Sequence, residues 1–80
     1  MGKVSVLAKV FPEDFEEIEK IREEINSKFN VKDYKIEDIG FGIKVLKVLI
    51  LSEDTGINFE EELKKVKGVS EVEIESITLI

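Results

Sequence analysis

Gly40-Phe41-Gly42 is the short segment of this 80-residue sequence with the most distinctive chemistry. Glycines relieve the steric limits of a turn or a β-bulge, and a phenylalanine between two of them can be held outward. An exposed aromatic ring brings a large apolar area to an interface at little cost in rotamer entropy. The segment therefore predicts either a plain change of chain direction or an aromatic anchor for a partner protein.

Acidic clusters are the other candidates for chemistry. They lie at residues 13–17 and 60–62, where consecutive side chains of a helix point in different directions and cannot converge on one site. Acidic residues at a helix start are favoured by the helix dipole, which explains both clusters without a function. The run Glu53-Asp54-Thr55-Gly56 is too short for a calcium-binding loop. We expect no metal site.

The last part of the chain carries Glu71, Glu73 and Glu75 at alternate positions. On one face of a strand they form either a solvated ladder, paired across the sheet with Lys3 and Lys9, or a surface for a basic partner. The pattern alone does not separate these interpretations. The first is favoured because exposed charges usually contribute little.

The composition excludes several classes of catalyst. The sequence has no cysteine and no histidine. It therefore predicts no disulfide, zinc–thiolate site or thiol nucleophile, and it lacks the usual general base. The only arginine is Arg22, within a predicted helix, which argues against a hydrolase of the acylphosphatase type. We expect neither an enzyme nor a cofactor.

The net charge of −6 argues against a nucleic-acid partner, since phosphate binding normally requires a basic excess. The Gly-Phe-Gly segment is similar to the third strand of the RNA-recognition motif, which carries a basic residue and further aromatic rings. Here Ile39, Ile43 and Leu46 occupy those positions. The rings needed for base stacking are missing.

Hydrophobic spacing predicts the elements that position these residues. Alternation over residues 4–10 predicts a strand, and apolar spacings of three and four from Phe15 to Phe29 predict an amphipathic helix. Pro12 and Asp14 suit the first turn and the cap of that helix. Residues 31–39, with Tyr34 and Ile36 as apolar anchors, and residues 43–51 are predicted to form strands. A second helix over 59–66 follows the possible cap Asn58, and a last strand covers 69–79.

The order strand-helix-strand-strand-helix-strand predicts an α+β fold, the ferredoxin-like sandwich, with residues 1–80 as one domain. Both helices would cover one face of a four-stranded antiparallel sheet whose first and third strands are central. Residues 43–51 are apolar on both faces, so part of that set is expected on the open face. The chain start lacks the pattern of a signal peptide, and no apolar stretch is long enough for a bilayer, so a cytoplasmic protein is expected.

The sequence Ile-Gly-Phe-Gly-Ile-Lys-Val-Leu at residues 39–46 resembles the exchange domain of elongation factor 1-beta, in its short archaeal form. The resemblance extends over essentially the whole chain, from residues 1–4 and 10–12 to the helix at 59–66 and Gly68-Val69. It implies a guanine-nucleotide exchange factor that promotes GDP release from elongation factor 1-alpha in translation elongation. This GTPase is then the protein partner, and a monomer is favoured.

The resemblance also implies the contact residues. The phenylalanine that docks on the GTPase corresponds to Phe41, flanked by Gly40 and Gly42. We expect Lys44 to support this contact at the rim. The family's C-terminus inserts near the magnesium and phosphates, which corresponds to Thr78, Leu79 and Ile80.

The tail departs from the family pattern. A penultimate lysine or arginine helps to expel the metal in the family, whereas Leu79 stands there and no basic residue follows Lys67. Leucine cannot replace a cation among phosphates and carboxylates. The resemblance therefore supports docking through Phe41 more strongly than nucleotide exchange by a positive charge in the tail.

Two other interpretations are open at this point. A ferredoxin-like domain can act as a small-molecule sensor or as a dimerisation module through its open sheet, without exchange activity. The chain can also be an idealised scaffold without a function.

Overall fold

The computed structural model describes residues 3–53 and 56–79. The order of elements is β1 (Val4–Pro12), a 3₁₀ turn (Phe15–Glu17), α1 (Ile18–Lys28), β2 (Val31–Gly40), β3 (Ile43–Ser52), α2 (Phe59–Lys64) and β4 (Val69–Leu79). The predicted βαββαβ order and the ferredoxin-like α+β fold are confirmed. Neither helix of the described residues is long and apolar enough to cross a membrane.

The four strands form one antiparallel sheet in the order β2-β3-β1-β4. The first and third strands are therefore central, as the ferredoxin-like fold predicted for both and the apolar character of residues 43–51 predicted for the third. Val4 pairs with Ser52 on one side and with Leu79 on the other, so three strands are in register at one end of the sheet. The turn between β2 and β3 lies at the opposite end.

The start of the first helix differs from the sequence prediction. Pro12 is the last residue of β1 and is buried there, and the helical region begins later with a 3₁₀ turn. Proline is tolerated at the end of a strand because no hydrogen bond of the sheet there requires its missing N–H. Asp14 caps the turn as predicted, since its Oδ1 accepts a hydrogen bond from the Glu16 N–H at 3.0 Å. Phe15, placed in the apolar stripe by spacing, is 39% exposed.

The second helix is shorter than predicted. It ends at Lys64, and Val66 follows it as a buried residue outside the regular helix. Asn58 is its cap, with Oδ1 accepting from the Glu61 N–H at 3.2 Å. Gly68 stops the segment with φ +92°, and its carbonyl accepts from the Glu13 N–H at 2.8 Å.

The core lies between the helices and one face of the sheet. Alternate residues of β1 are buried, and they pack with Ile21 and Ile25 of α1 and with Leu63 near α2's end. Val45 is also buried, although it does not belong to this cluster. Its alternation with the buried Leu46 places it on the open face of β3. The predicted apolar residues on the open face are thus confirmed.

A β-bulge interrupts the pairing of β1 with β4. Ala8 pairs with Ile74, whereas Leu7 pairs with Ser76, so Glu75 is an extra residue on β4. The bulge reverses the alternation of the remaining strand. Leu79, which pairs with the buried Val4, therefore lies on the helix-bearing side of the sheet.

Candidate partner-binding site

The turn between β2 and β3 is a two-residue hairpin loop formed by Phe41 and Gly42. Gly40 and Ile43 pair across it, and the two loop residues have φ of +57° and +75°. Positive φ at both central positions defines a type I′ turn, whose twist matches that of the flanking strands. Gly42 meets this requirement freely, but a phenylalanine rarely adopts such a φ.

Asp38 fixes the approach to this turn. Its Oδ1 accepts a hydrogen bond from the Gly40 N–H at 2.9 Å. The strand register shifts at the same point, because Asp38 pairs with Lys44 while Gly40 pairs with Ile43. Ile39 is therefore the extra residue of a bulge. The local twist of a bulge re-aims the residues that follow it, here the loop tip.

The Phe41 ring is fully exposed at the tip of the hairpin. The ring does not pack beneath the helices. An aromatic anchor requires such an exposed position. Keeping a non-glycine residue in the left-handed region costs about 1 to 3 kcal/mol. The chain thus presents a large apolar side chain to solvent on a strained backbone. Fold stability alone accounts for neither property.

Three exposed side chains flank the tip. Ile39 and Ile43 are apolar and exposed, and Lys44 lies next to them opposite Asp38. Lys44 forms no salt bridge with any residue that the structure describes, so its ammonium is available to a partner. The turn therefore combines an aromatic tip, an aliphatic base and one free positive charge.

The predicted tail residues lie at the other end of the sheet. Thr78 and Leu79 are exposed at the end of β4 and pair with Ser5 and Val4. Ile80 lies outside the described residues. Residues 43 to 52 of β3 connect the two ends, so the separation is about 30 Å at 3.3 Å per residue. The structure brings Gly40, Phe41, Gly42 and Lys44 together but keeps them far from the tail.

A band of charge crosses the open face of the sheet. The Lys9 ammonium lies 3.1 Å from a Glu75 carboxylate oxygen, and that of Lys47 lies 3.5 Å from Glu75 and 3.3 Å from Glu37. Lys35, Lys47 and Lys9 are neighbours in the register of β2, β3 and β1. Like charges side by side repel, so the two glutamates are needed to offset them.

The sequence predicted this band only in part. The pairing of Lys9 with the β4 glutamates is confirmed at Glu75. Glu71 pairs instead with Lys64 of α2 at 3.0 Å, and Lys3 forms no ion pair within the described part of the chain. No role was predicted for Lys47 from the sequence. A lysine within an apolar central strand is nevertheless a signal for a carboxylate on a neighbouring strand, here Glu37 and Glu75.

Ion pairs with lysines lower the pKa values of two glutamates of β4, Glu75 and Glu71. A hydrogen bond from Lys9, with the nearby Lys47 charge, holds the pKa of Glu75 below its usual value despite some desolvation. A hydrogen bond from Lys64 likewise lowers the pKa of Glu71. The pKa of Lys9 is raised, chiefly by its hydrogen bond to Glu75.

We expect acid to weaken the fold through these carboxylates. Their folded-state pKa lies below the unfolded value of about 4.3, so the stabilisation is complete above that pH and is lost as pH falls through the folded pKa. Urea unfolding between pH 3 and 7 should show this decline, and Glu75→Gln should make it shallower. Glu23→Gln is the control, because Glu23 forms no salt bridge among the described residues. Equal slopes for both variants would contradict the assignment.

Residues 3–53 and 56–79 contain no cluster of carboxylates able to hold a metal ion. In the comparison with protein families, residues 5–80 match the model described as the EF-1 guanine nucleotide exchange domain. The chain belongs to this family.

Curated relatives of this exchange-domain family resemble the chain over nearly its whole length. Elongation factor 1-beta of Staphylothermus marinus is 43% identical, with 96% of each chain covered. That of Methanocorpusculum labreanum is 34% identical over 96% of this chain and 95% of its own. That of Aeropyrum pernix is 37% identical over 98% and 97%.

The exchange-domain family gives the function that the sequence predicted. The chain is an elongation factor 1-beta guanine-nucleotide exchange factor of translation elongation, and it is not a catalyst of bond chemistry. The resemblance stated from residues 39–46 is confirmed. The individual contact residues remain predictions.

Proposed function

We propose that the chain promotes GDP release from the GTPase elongation factor 1-alpha by docking through Phe41, as a cytoplasmic monomer. The observation that carries this proposal is the fully exposed ring of Phe41 on a backbone with φ +57°. Such a ring is typical of a binding hot spot, because it fills a partner pocket with little loss of rotamer freedom. Gly40 and Gly42 hold it there, and Lys44 provides a charge at the rim.

The mechanism is differential binding. The chain accelerates GDP release when it binds the nucleotide-free GTPase more tightly than the GDP-bound form. By linkage, its binding then lowers the affinity of the GTPase for GDP by the same ratio. Docking through Phe41 alone supplies affinity without this preference. A second contact must therefore distinguish the two states.

We assign the second contact to the tail, formed by Thr78, Leu79 and Ile80. The tail is about 30 Å from Phe41 along a central strand, so a partner that holds the ring meets the tail at a fixed distance. Leu79 is 72% exposed and carries no charge. It therefore acts by occupying space beside the nucleotide site and not by replacing a cation.

The direct test follows release of fluorescent GDP from elongation factor 1-alpha in a stopped-flow instrument. The wild-type chain should accelerate release in a saturable manner. No acceleration at saturating concentration would refute the proposal.

Leu79→Lys is expected to raise the maximal release rate about tenfold, because one charge-assisted contact contributes about 1.5 to 3 kcal/mol. The concentration for half-maximal effect should change little, since the Phe41 contact is untouched. Leu79→Gln is the matched control, which adds polarity without charge. Equal rates for the two variants would show that the tail does not reach the charged nucleotide site.

Dimerisation through the open sheet is the competing interpretation. The charge band opposes it, because a second sheet stacked here would desolvate Lys9, Lys47, Glu37 and Glu75. Light scattering should therefore give the mass of one chain, 9.1 kDa.

A further inference from the structure

A cleft of about 650 Å³ lies between the ends of β3 and α1 and the body of α2. Phe29, Ile50, Ile57 and Phe59 provide its apolar lining. The rings of Phe29 and Phe59 lie 6.2 Å apart at 47°, which makes a rigid aromatic wall. The volume is in the range of small-ligand sites. Ser52 also lines it, so the cleft lies at the opposite end of the sheet from Phe41.

Three lysines, Lys3, Lys28 and Lys65, and two glutamates, Glu53 and Glu62, also line this cleft. The Lys65 ammonium lies 3.5 Å from a carboxylate oxygen of Glu62. Lys3 and Lys28 form no salt bridge with the residues that the structure describes. Within the described part of the chain, two of the three lysines at this opening thus lack a salt-bridge partner, although Glu53 also lines the cleft and the protein has a net charge of −6.

Helix α1 ends beside the cleft, and its dipole explains Lys28 in part. The dipole does not explain Lys3, which immediately precedes β1 and is not part of this helix. Backbone carbonyls at this end are already hydrogen-bonded: that of Ile25 accepts from the Phe29 N–H at 2.9 Å, and that of Asn30 from the Leu51 N–H at 2.9 Å. Their lone pairs are thus partly engaged, and the three lysines leave an excess of one positive charge over the two glutamates of the lining.

We propose that this cleft binds an amphipathic anion, a carboxylate carried on an aromatic or branched apolar body. The apolar body packs against the Phe29–Phe59 wall, and the carboxylate lies between the ammonium groups of Lys3 and Lys28. A carboxylate accepts charge-assisted hydrogen bonds from both, and the shielding by the apolar lining strengthens them. A free metabolite and the C-terminal carboxylate of a peptide share this chemistry.

The test uses 1-naphthoate as the probe and amide shifts of the ¹⁵N-labelled chain as the readout. We expect saturable shifts at the residues lining the cleft, weaker binding at high salt, and none at Phe41. The neutral isostere 1-naphthylmethanol should bind at least tenfold more weakly. Equal binding of the two compounds, or shifts spread over the whole chain, would overturn the proposal.

Lys28→Gln is expected to weaken naphthoate binding about tenfold, because it removes one charge-assisted hydrogen bond. Lys20→Gln is the matched control on the same helix, since Lys20 pairs with Glu17 at 3.3 Å and does not line the cleft. Equal loss in both variants would contradict a specific site. N-acetyl-phenylalanine and a tripeptide ending in phenylalanine then distinguish the two ligand sources by relative affinity.

This proposal stands apart from docking through Phe41. Release of GDP measured with Lys28→Gln should match the wild type in the absence of probe. Failure of naphthoate to bind would leave the exchange function intact, and failure of exchange would leave the cleft intact.

Discussion

Phe41→Asn is expected to make the fold more stable while removing most of the affinity for elongation factor 1-alpha. The two effects have separate causes. Asparagine accepts the left-handed φ of +57° that phenylalanine resists, and an Asn–Gly pair is a preferred sequence for a type I′ turn. Relief of the strain should stabilise the domain by about 1 kcal/mol. No folded-state packing is lost, because the ring is fully exposed.

The loss of affinity should be large. Truncation of a central aromatic hot spot costs about 2 to 4 kcal/mol, which corresponds to roughly 30- to 700-fold in the dissociation constant. Titration calorimetry with the nucleotide-free GTPase measures this change, and a thermal melt measures stability, with an expected rise of about 4 to 8 °C.

Phe15→Ala is the control for the loss of a partly exposed ring, since Phe15 is 39% exposed and lies outside the hairpin. It should leave binding almost unchanged. Retained affinity in Phe41→Asn would remove Phe41 from the interface. A melting temperature below that of the wild type would show that the turn is not strained.

Leu63→Ala is expected to destabilise the fold by about 2 to 5 kcal/mol, through lost burial and the cavity left behind. Leu63 has no exposed surface and packs in the main core. It lies in a helix, where alanine has the higher propensity, so backbone preference cannot be the cause of the loss. An 80-residue domain has only about 4 to 12 kcal/mol in total, so part of the population is expected to unfold at 37 °C.

Leu79→Ala removes the same atoms from a side chain that is 72% exposed. Urea unfolding of this control should differ from the wild type by less than about 0.5 kcal/mol. A small effect of Leu63→Ala, similar to that of Leu79→Ala, would mean that α2 does not anchor the core.

The sequence predicted those parts of the molecule that depend on local periodicity. The alternation of β1 and the helical spacing of Ile18, Ile21 and Ile25 gave elements whose burial agrees with the pattern. The two glycines around Phe41 indicated a turn or a bulge. An outward ring is one of the two interpretations that this segment allows, and the structure shows the ring exposed.

Features that depend on contacts between distant strands were not predictable. Pro12 ends a strand because it pairs with Val69 of β4, and the next residue donates a hydrogen bond to Gly68. Hydrophobic periodicity does not predict contacts of this kind. Lys47 faces Glu37 and Glu75 only after β2, β1 and β4 have found their register. The cleft beside Phe29 and Phe59 is also invisible in sequence, since its lining comes from four separate segments.

The extra residue in β4 determines how the end of the chain is oriented. Because Glu75 is unmatched on β1, Ile77 and Leu79 project toward the helices, and Thr78 projects the other way. Removing one residue there would exchange their directions while leaving every downstream amino acid in place. An insertion or deletion of two residues near position 75 should therefore leave Ile77 and Leu79 on the helix-bearing face of the sheet. A change of one residue should move both side chains to the open face.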